Sequence, residues 1–158
     1  MANVLDDPDL RRLVDYFHSM MGEAMIFPRL LGAINESPDF DHARLRFPMQ
    51  EVFIGNIAYR TLHGAIICAM LDEAGGQIVF LNVFRQVRDQ PFEKQVKRAS
   101  KIGSINLRID YLIPGVGKEF IASAYLLRMG NKVAVTRMEL HNDEGKLIAV
   151  GTGTYTVG

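Results

Sequence analysis

The chain has 158 residues, 48% of them hydrophobic, with 18 Lys and Arg balanced by 18 Asp and Glu. That length fits one domain with a sizeable core, and the balanced charge excludes a global pull toward nucleic acid or an anionic membrane. The lone cysteine, Cys68, excludes an internal disulfide framework and suits a reducing cytoplasm, while His18, His42, His63 and His141 lack metal-ligand spacing.

From the N-terminus, "MANVLDDPDLRR" is acidic and polar and is expected not to be a signal peptide. After Pro8, the spacing of Leu10, Leu13, Val14 and Phe17 predicts an amphipathic helix within an N-terminal helical segment at about 1–30. Pro28 follows, and Leu30, Leu31 and Gly32 lead into a strand expected at 31–36. Ala43, Leu45 and Phe47 alternate with Arg44 and Arg46, which predicts a half-buried strand.

The apolar run 62–84 is interrupted by Asp72, Glu73, Gln77 and Asn82. A membrane span would not hold two carboxylates at its centre, so the run predicts a buried helix from His63 to Phe80 or a little beyond. A polar, basic connection over 85–101 contains Pro91 and room for a short helix at 91–99. The period then switches to two. "SINLRIDYLIP", "EFIASAYLLRMG", "KVAVTRMELHND" and "KLIAVGTGTYTV" read as four strands of an antiparallel meander, the last three joined at Gly130-Asn131 and Asp143-Glu144-Gly145. A sheet with one dry face needs a cover, and only the helix at 63–80 is long and apolar enough, so the class is α+β with the sheet curled around it.

"LHGAIICAMLDEAGG", followed by "INLRIDYLIPG", "LLRMGNKVAVTRMEL" and "GKLIAVGTGTYTV", resembles the phenylacetic-acid-type hotdog acyl-CoA thioesterases over about residues 30–157. The 85–101 connection is similar to that of a bacterial branch acting on medium- and long-chain acyl-CoAs. The resemblance implies a single hotdog domain over 1–158, a curved antiparallel β-sheet wrapped around a long central α-helix. It also implies hydrolysis of an acyl-CoA to free acid and coenzyme A, with no cofactor and no metal.

The residues suggest how. Gly64 lies where first-turn amides lack intrahelical partners and the helix dipole adds positive potential. Without a Cβ, it lets a thioester carbonyl approach its N–H, although a glycine there also permits a tight turn into the helix. Ala65, Cys68, Ala69, Asp72, Gly75 and Gly76 form a small-residue stripe, with Ile66, Ile67, Met70, Leu71, Ala74 and Ile78 on the bulky one. Asp72 sits in the small stripe and Glu73 is rotated off it, as a supporting or solvent-facing neighbour. Asp72 reads as a general base for water or, alternatively, as a nucleophile; a carboxylate that caps a helix or pairs with a base is equally compatible with its position. Eight residues separate Gly64 from Asp72, about 12 Å on a helix, so one thioester meets both only if they come from two subunits. Spacing and resemblance both point to a homodimer, with further pairing into a homotetramer left open.

The resemblance also implies that His63 positions the start of the helix and that Ser104 borders the site. Two departures from the family pattern stand out. Ala65 replaces the second glycine of a His-Gly-Gly motif and would narrow the acyl pocket. The upstream amide that holds water or the carbonyl has its best candidate in Asn56, seven residues before His63 and one residue farther than in some relatives. Cys68 reads as packing. Cations for the coenzyme A phosphates are available at Arg128, Lys132 and Arg137, and along the connection at Arg85, Arg88, Lys94, Lys97, Arg98 and Lys101. Two other classes stay in view. A hotdog dehydratase is disfavoured because "TLHGAIICAMLD" lacks the proline before glycine that such proteins carry. A non-catalytic acyl-CoA-binding module would use the same cup.

Overall fold

The computed structural model describes residues 8–19, 25–36 and 40–158. Helix α1 (Pro8–Ser19) opens on a proline, which suits a first-turn position whose N–H has no partner. The apolar face assigned to Leu10, Leu13, Val14 and Phe17 lies outside the described side chains. A five-residue helix α2 (Ile26–Leu30) buries Pro28. The strand expected at 31–36 contracts to β1 (Ile34–Asn35), because Leu31 and Gly32 turn back and donate their N–H groups to Phe27 and Arg29.

β2 (Ala43–Pro48) keeps the expected alternation, with Ala43, Leu45 and Phe47 buried. A 3-10 turn, Glu51–Phe53, then leads to a small hairpin, β3 (Ile54–Asn56) and β4 (Thr61–Leu62), too short to show a period in the sequence. α3 (Gly64–Gln86) is the central helix, and α4 (Phe92–Ala99) follows it. β5 (Gly103–Tyr111), β6 (Glu119–Met129), β7 (Val133–Asn142) and β8 (Leu147–Thr156) complete the chain.

The main sheet is antiparallel with the order β1-β2-β6-β7-β8-β5. Only β6, β7 and β8 form a meander, which corrects the expected four-strand one. The connection 112–118 holds Pro114 and two glycines in place of a tight turn. It carries the chain past Ile148 and Leu62, so β5 pairs with β8 rather than β6.

α3 has apolar residues nearly all round because the sheet curls about it. Met70, Leu71, Ala74 and Ile78 meet Leu45, Phe47, Phe120, Met138, Leu140 and Ile148 in one core. By length and composition this helix could cross a membrane; here it is the core element that the sheet encloses. It runs past Phe80 to Gln86 because Leu81, Val83 and Phe84 enter a second core with Ala99, Ala134, Tyr155 and Val157. α4 rides on this half of α3. Phe92 stacks edge-on to Tyr16 of α1 at 5.4 Å, and Arg98 Nε donates to the Val157 carbonyl at 3.2 Å.

Candidate active site

The middle of α3 carries a carboxylate that two hydroxyls hold. Ser104 Oγ on β5 donates to Asp72 Oδ1 at 2.8 Å, and Tyr155 OH on β8 donates to the same oxygen at 3.1 Å. The two donors are neighbours by register, since Ser104 pairs with Tyr155 across β5 and β8. Hydrogen bonds to a charged acceptor contribute about 1.5–3 kcal/mol each, enough to fix a carboxylate's orientation. Both fall on Oδ1, which leaves Oδ2 to engage a water.

Tyr155 reaches Asp72 from beneath the helix through a slot made by two glycines. A Cβ on Gly75 would lie 2.1 Å from the Tyr155 hydroxyl oxygen, and one on Gly153 would lie 2.7 Å from the ring. Gly75 therefore faces the sheet instead of joining the open stripe that the sequence suggested. Burial, with the Asp72 charge adding to it, pushes the Tyr155 phenol well above its ordinary value, so it remains a donor.

Asp72 and Ser104 stand at one end of a cavity of about 330 Å³ that runs along α3 past Glu73, Gly76 and Gln77 to Phe80. Leu45, Val96, Ala99 and Ile102 give it apolar walls, and Tyr16 and Met25 help close it. Glu73 is half-buried in this wall, which corrects the solvent-facing alternative expected for it and leaves the supporting one in place. Burial, reinforced by the neighbouring Asp72, raises the Glu73 carboxyl above the usual range. The same two causes raise the Cys68 thiol, which keeps it protonated and unsuited to attack. Gln77 is 5% exposed, and among the described residues neither its Oε1 nor its Nε2 has a hydrogen-bond partner. Leaving such a buried group unpaired costs about 1–3 kcal/mol.

A different set gathers at the start of α3. His63 is the N-cap, its Nδ1 accepting from the Ala65 N–H at 3.0 Å, which places the ring proton on Nε2 when the ring is neutral. Tyr111 OH donates to the Gly64 carbonyl at 3.2 Å. Asn56 Oδ1 accepts from the N–H groups of Ala58 and Tyr59 at 3.0 and 3.3 Å, so any bond that Asn56 offers a substrate must come from Nδ2. Asn56, Gly64, Thr61 and Tyr111 line a second, open concavity of about 410 Å³ that shares no lining residue with the first.

The candidates thus divide into Asp72 with Ser104, and Asn56, His63, Gly64 and Ala65 around the start of the helix. Arg128 beside a β6 bulge and Lys132 in the β6–β7 turn are exposed and line neither cavity. Among the described residues no group of three His, Cys, Asp or Glu side chains could hold a metal ion. Sequence reasoning missed Tyr155 and Gln77. The signal for Tyr155 was present in "GTGTYTV", where glycines inside a strand mark a close approach.

A curved antiparallel sheet closed around one long helix is the hotdog architecture. Residues 59–149 match the thioesterase superfamily, and the chain belongs to that family. It is 42% identical over 134 residues to the medium/long-chain acyl-CoA thioesterase YigI of Escherichia coli (strain K12), covering 85% of this chain and 86% of that protein. A crystal structure of a Shewanella oneidensis protein related to the thioesterase superfamily superposes with a TM-score of 0.90 at 36% identity, covering 96% of this chain and 99% of that one. The PaaI protein from the phenylacetic acid degradation operon of E. coli shares the fold, with a TM-score of 0.66 at 18% identity over 89% of each chain.

Proposed function

We propose that this protein is a cytoplasmic acyl-CoA thioesterase that works without cofactor or metal, as a homodimer with two shared sites. The observation that carries the reading is Asp72, a carboxylate in the wall of an apolar cavity, held on one oxygen by Ser104 and Tyr155 with the other oxygen left to engage a water. Asp72 takes a proton from water as the water oxygen bonds to the thioester carbon. The carbonyl oxygen gains the charge, and the partner protomer's Gly64 N–H at a helix start stabilises it. The intermediate then collapses, the C–S bond breaks, and the proton on Asp72 passes to the coenzyme A thiolate.

The dimer is supported by what surrounds Gly64. Ile57 is 86% and Tyr59 76% exposed, and Tyr111, Leu112 and Ile113 are exposed beside them. β5 pairs with β8 on one edge only, and its outer edge has no partner strand among the described residues. An open edge next to exposed apolar side chains is the usual site of association. A two-fold axis there brings the start of one α3 toward the middle of the other.

The test is complementation. Asp72→Asn and Gly64→Val are each expected to release little thiol from decanoyl-CoA. Mixed one to one under exchange, they should recover about a quarter of wild-type activity, because half the dimers are mixed and each mixed dimer has one intact site. Mixed dimers that form yet stay inactive would refute the shared site. Tight acyl-CoA binding by wild type without any thiol release would make the protein a binding module instead.

A further inference from the structure

We infer that the cavity beside Asp72 selects acyl chains carrying a neutral oxygen, a hydroxyl or an oxo group, near mid-chain, and that Gln77 recognises it. This rests on the thioesterase reading above. The cavity is lined from α3 by Asp72, Glu73, Gly76, Gln77 and Phe80, a lengthwise stripe at helical spacing, so a chain whose thioester carbon meets the water at Asp72 extends along the helix. Beyond the carboxylates the lining is largely apolar. Ser100, Ser104 and Tyr155 already donate to the Lys97 carbonyl and to Asp72, Tyr16 lies at the half-buried edge, and the fully buried amide of Gln77 is left over.

That amide is 5% exposed and both its ends are unpartnered among the described residues, although almost all buried polar side chains in folded proteins are paired. A leucine would fill the same space without that penalty. A carboxamide donates and accepts at once, which matches a hydroxyl fully and an oxo group through Nε2. A second carboxylate on the chain is disfavoured, because Asp72 and Glu73 already stand in the wall. Five residues of helix separate Gln77 from Asp72, about 7.5 Å of rise, or roughly six carbon–carbon bonds of an extended chain. The oxygen therefore belongs near the seventh carbon, not beside the thioester.

The experiment compares kcat/KM for decanoyl-, 3-hydroxydecanoyl- and 7-hydroxydecanoyl-CoA, followed by thiol release, in wild type, Gln77→Leu and Gln77→Met. Wild type should prefer the 7-hydroxy chain over decanoyl-CoA by about tenfold or more, as expected when a buried polar group finds its only partner, and should show no such gain for the 3-hydroxy chain. Both variants should fold at least as well as wild type, raise kcat/KM for decanoyl-CoA and lose the 7-hydroxy preference. Efficient hydrolysis with no 7-hydroxy preference in wild type, or a preference that survives both substitutions, overturns the inference while leaving the thioesterase intact. Thiol release from none of the three overturns the hydrolase reading and this inference with it.

Discussion

The two functional ends of α3 are built to different degrees of completion. At its middle, the Asp72 carboxylate is held by two donors, seated over a tyrosine that fits between glycines, and borders a cavity whose walls include α4 and Tyr16. At its start, His63 caps the helix and Asn56 shapes a turn, but the concavity is open and rimmed by exposed Ile57, Tyr59 and Tyr111. A walled half and an open half thus stand on the same rod, about 12 Å apart, and the open one is where the proposed dimer would supply the missing walls.

Substitutions can break or sharpen that contrast. The largest effect is expected for Asp72→Asn, which should lower kcat for thiol release by about 10²–10⁴-fold with the dimer intact by sedimentation. Next comes Gly75→Ala. Its new methyl would sit 2.1 Å from the Tyr155 hydroxyl, so the ring must leave its slot. We expect about a hundredfold loss of kcat together with a stability loss of about 1–3 kcal/mol in thermal melts.

Gly64→Ala is the counterpart at the open end. Its Cβ would find the Tyr111 hydroxyl at 3.4 Å, so the melting temperature should hold while kcat/KM falls by about tenfold. An equal melting loss in both alanine variants would erase the difference between the two ends. Tyr155→Phe removes one donor but keeps the ring. It should cost less than about tenfold in kcat for thiol release.

The smallest effect belongs to Glu73→Gln. Because burial raises the Glu73 carboxyl in the folded protein, the native state binds that proton more tightly than the unfolded chain. This favours folding below the ordinary carboxylate range and is lost as pH rises through the raised value. The variant should thus melt a few degrees above wild type at pH 7.5, with the gain shrinking toward pH 4.

Much of this architecture was legible in the chain, and the exceptions have physical causes. Period-two alternation located the four long strands within a few residues, and the apolar run located α3. Its end lay beyond Phe80 because burial by a second core, not helical period, carries it to Gln86. The β3–β4 hairpin escaped notice because strands of three and two residues show no period. Pairing of β5 with β8 depends on which edge is open, a property of the assembled sheet and not of either segment. In the site, Asp72, Gly64 and His63 announced themselves by chemistry in an unusual place. Tyr155 lies 83 residues from Asp72 in sequence, so only the sheet register could bring them together. Glu73 reads in the sequence as a supporting or solvent-facing neighbour and Gln77 only as a break in the apolar run, because the wall that α4 adds to their cavity leaves no local signal.

The placement of α4 has one more consequence. Val96, Ala99 and Ile102, which form the far wall of the cavity, belong to the short segment between α3 and β5, whereas Asp72 and its donors sit on the core helix and the sheet. Insertions, deletions or swaps in that segment would reshape the cavity while Asp72, Ser104 and Tyr155 keep their register. Under the proposed reaction, substrate range and chemical competence would then be separable by descent.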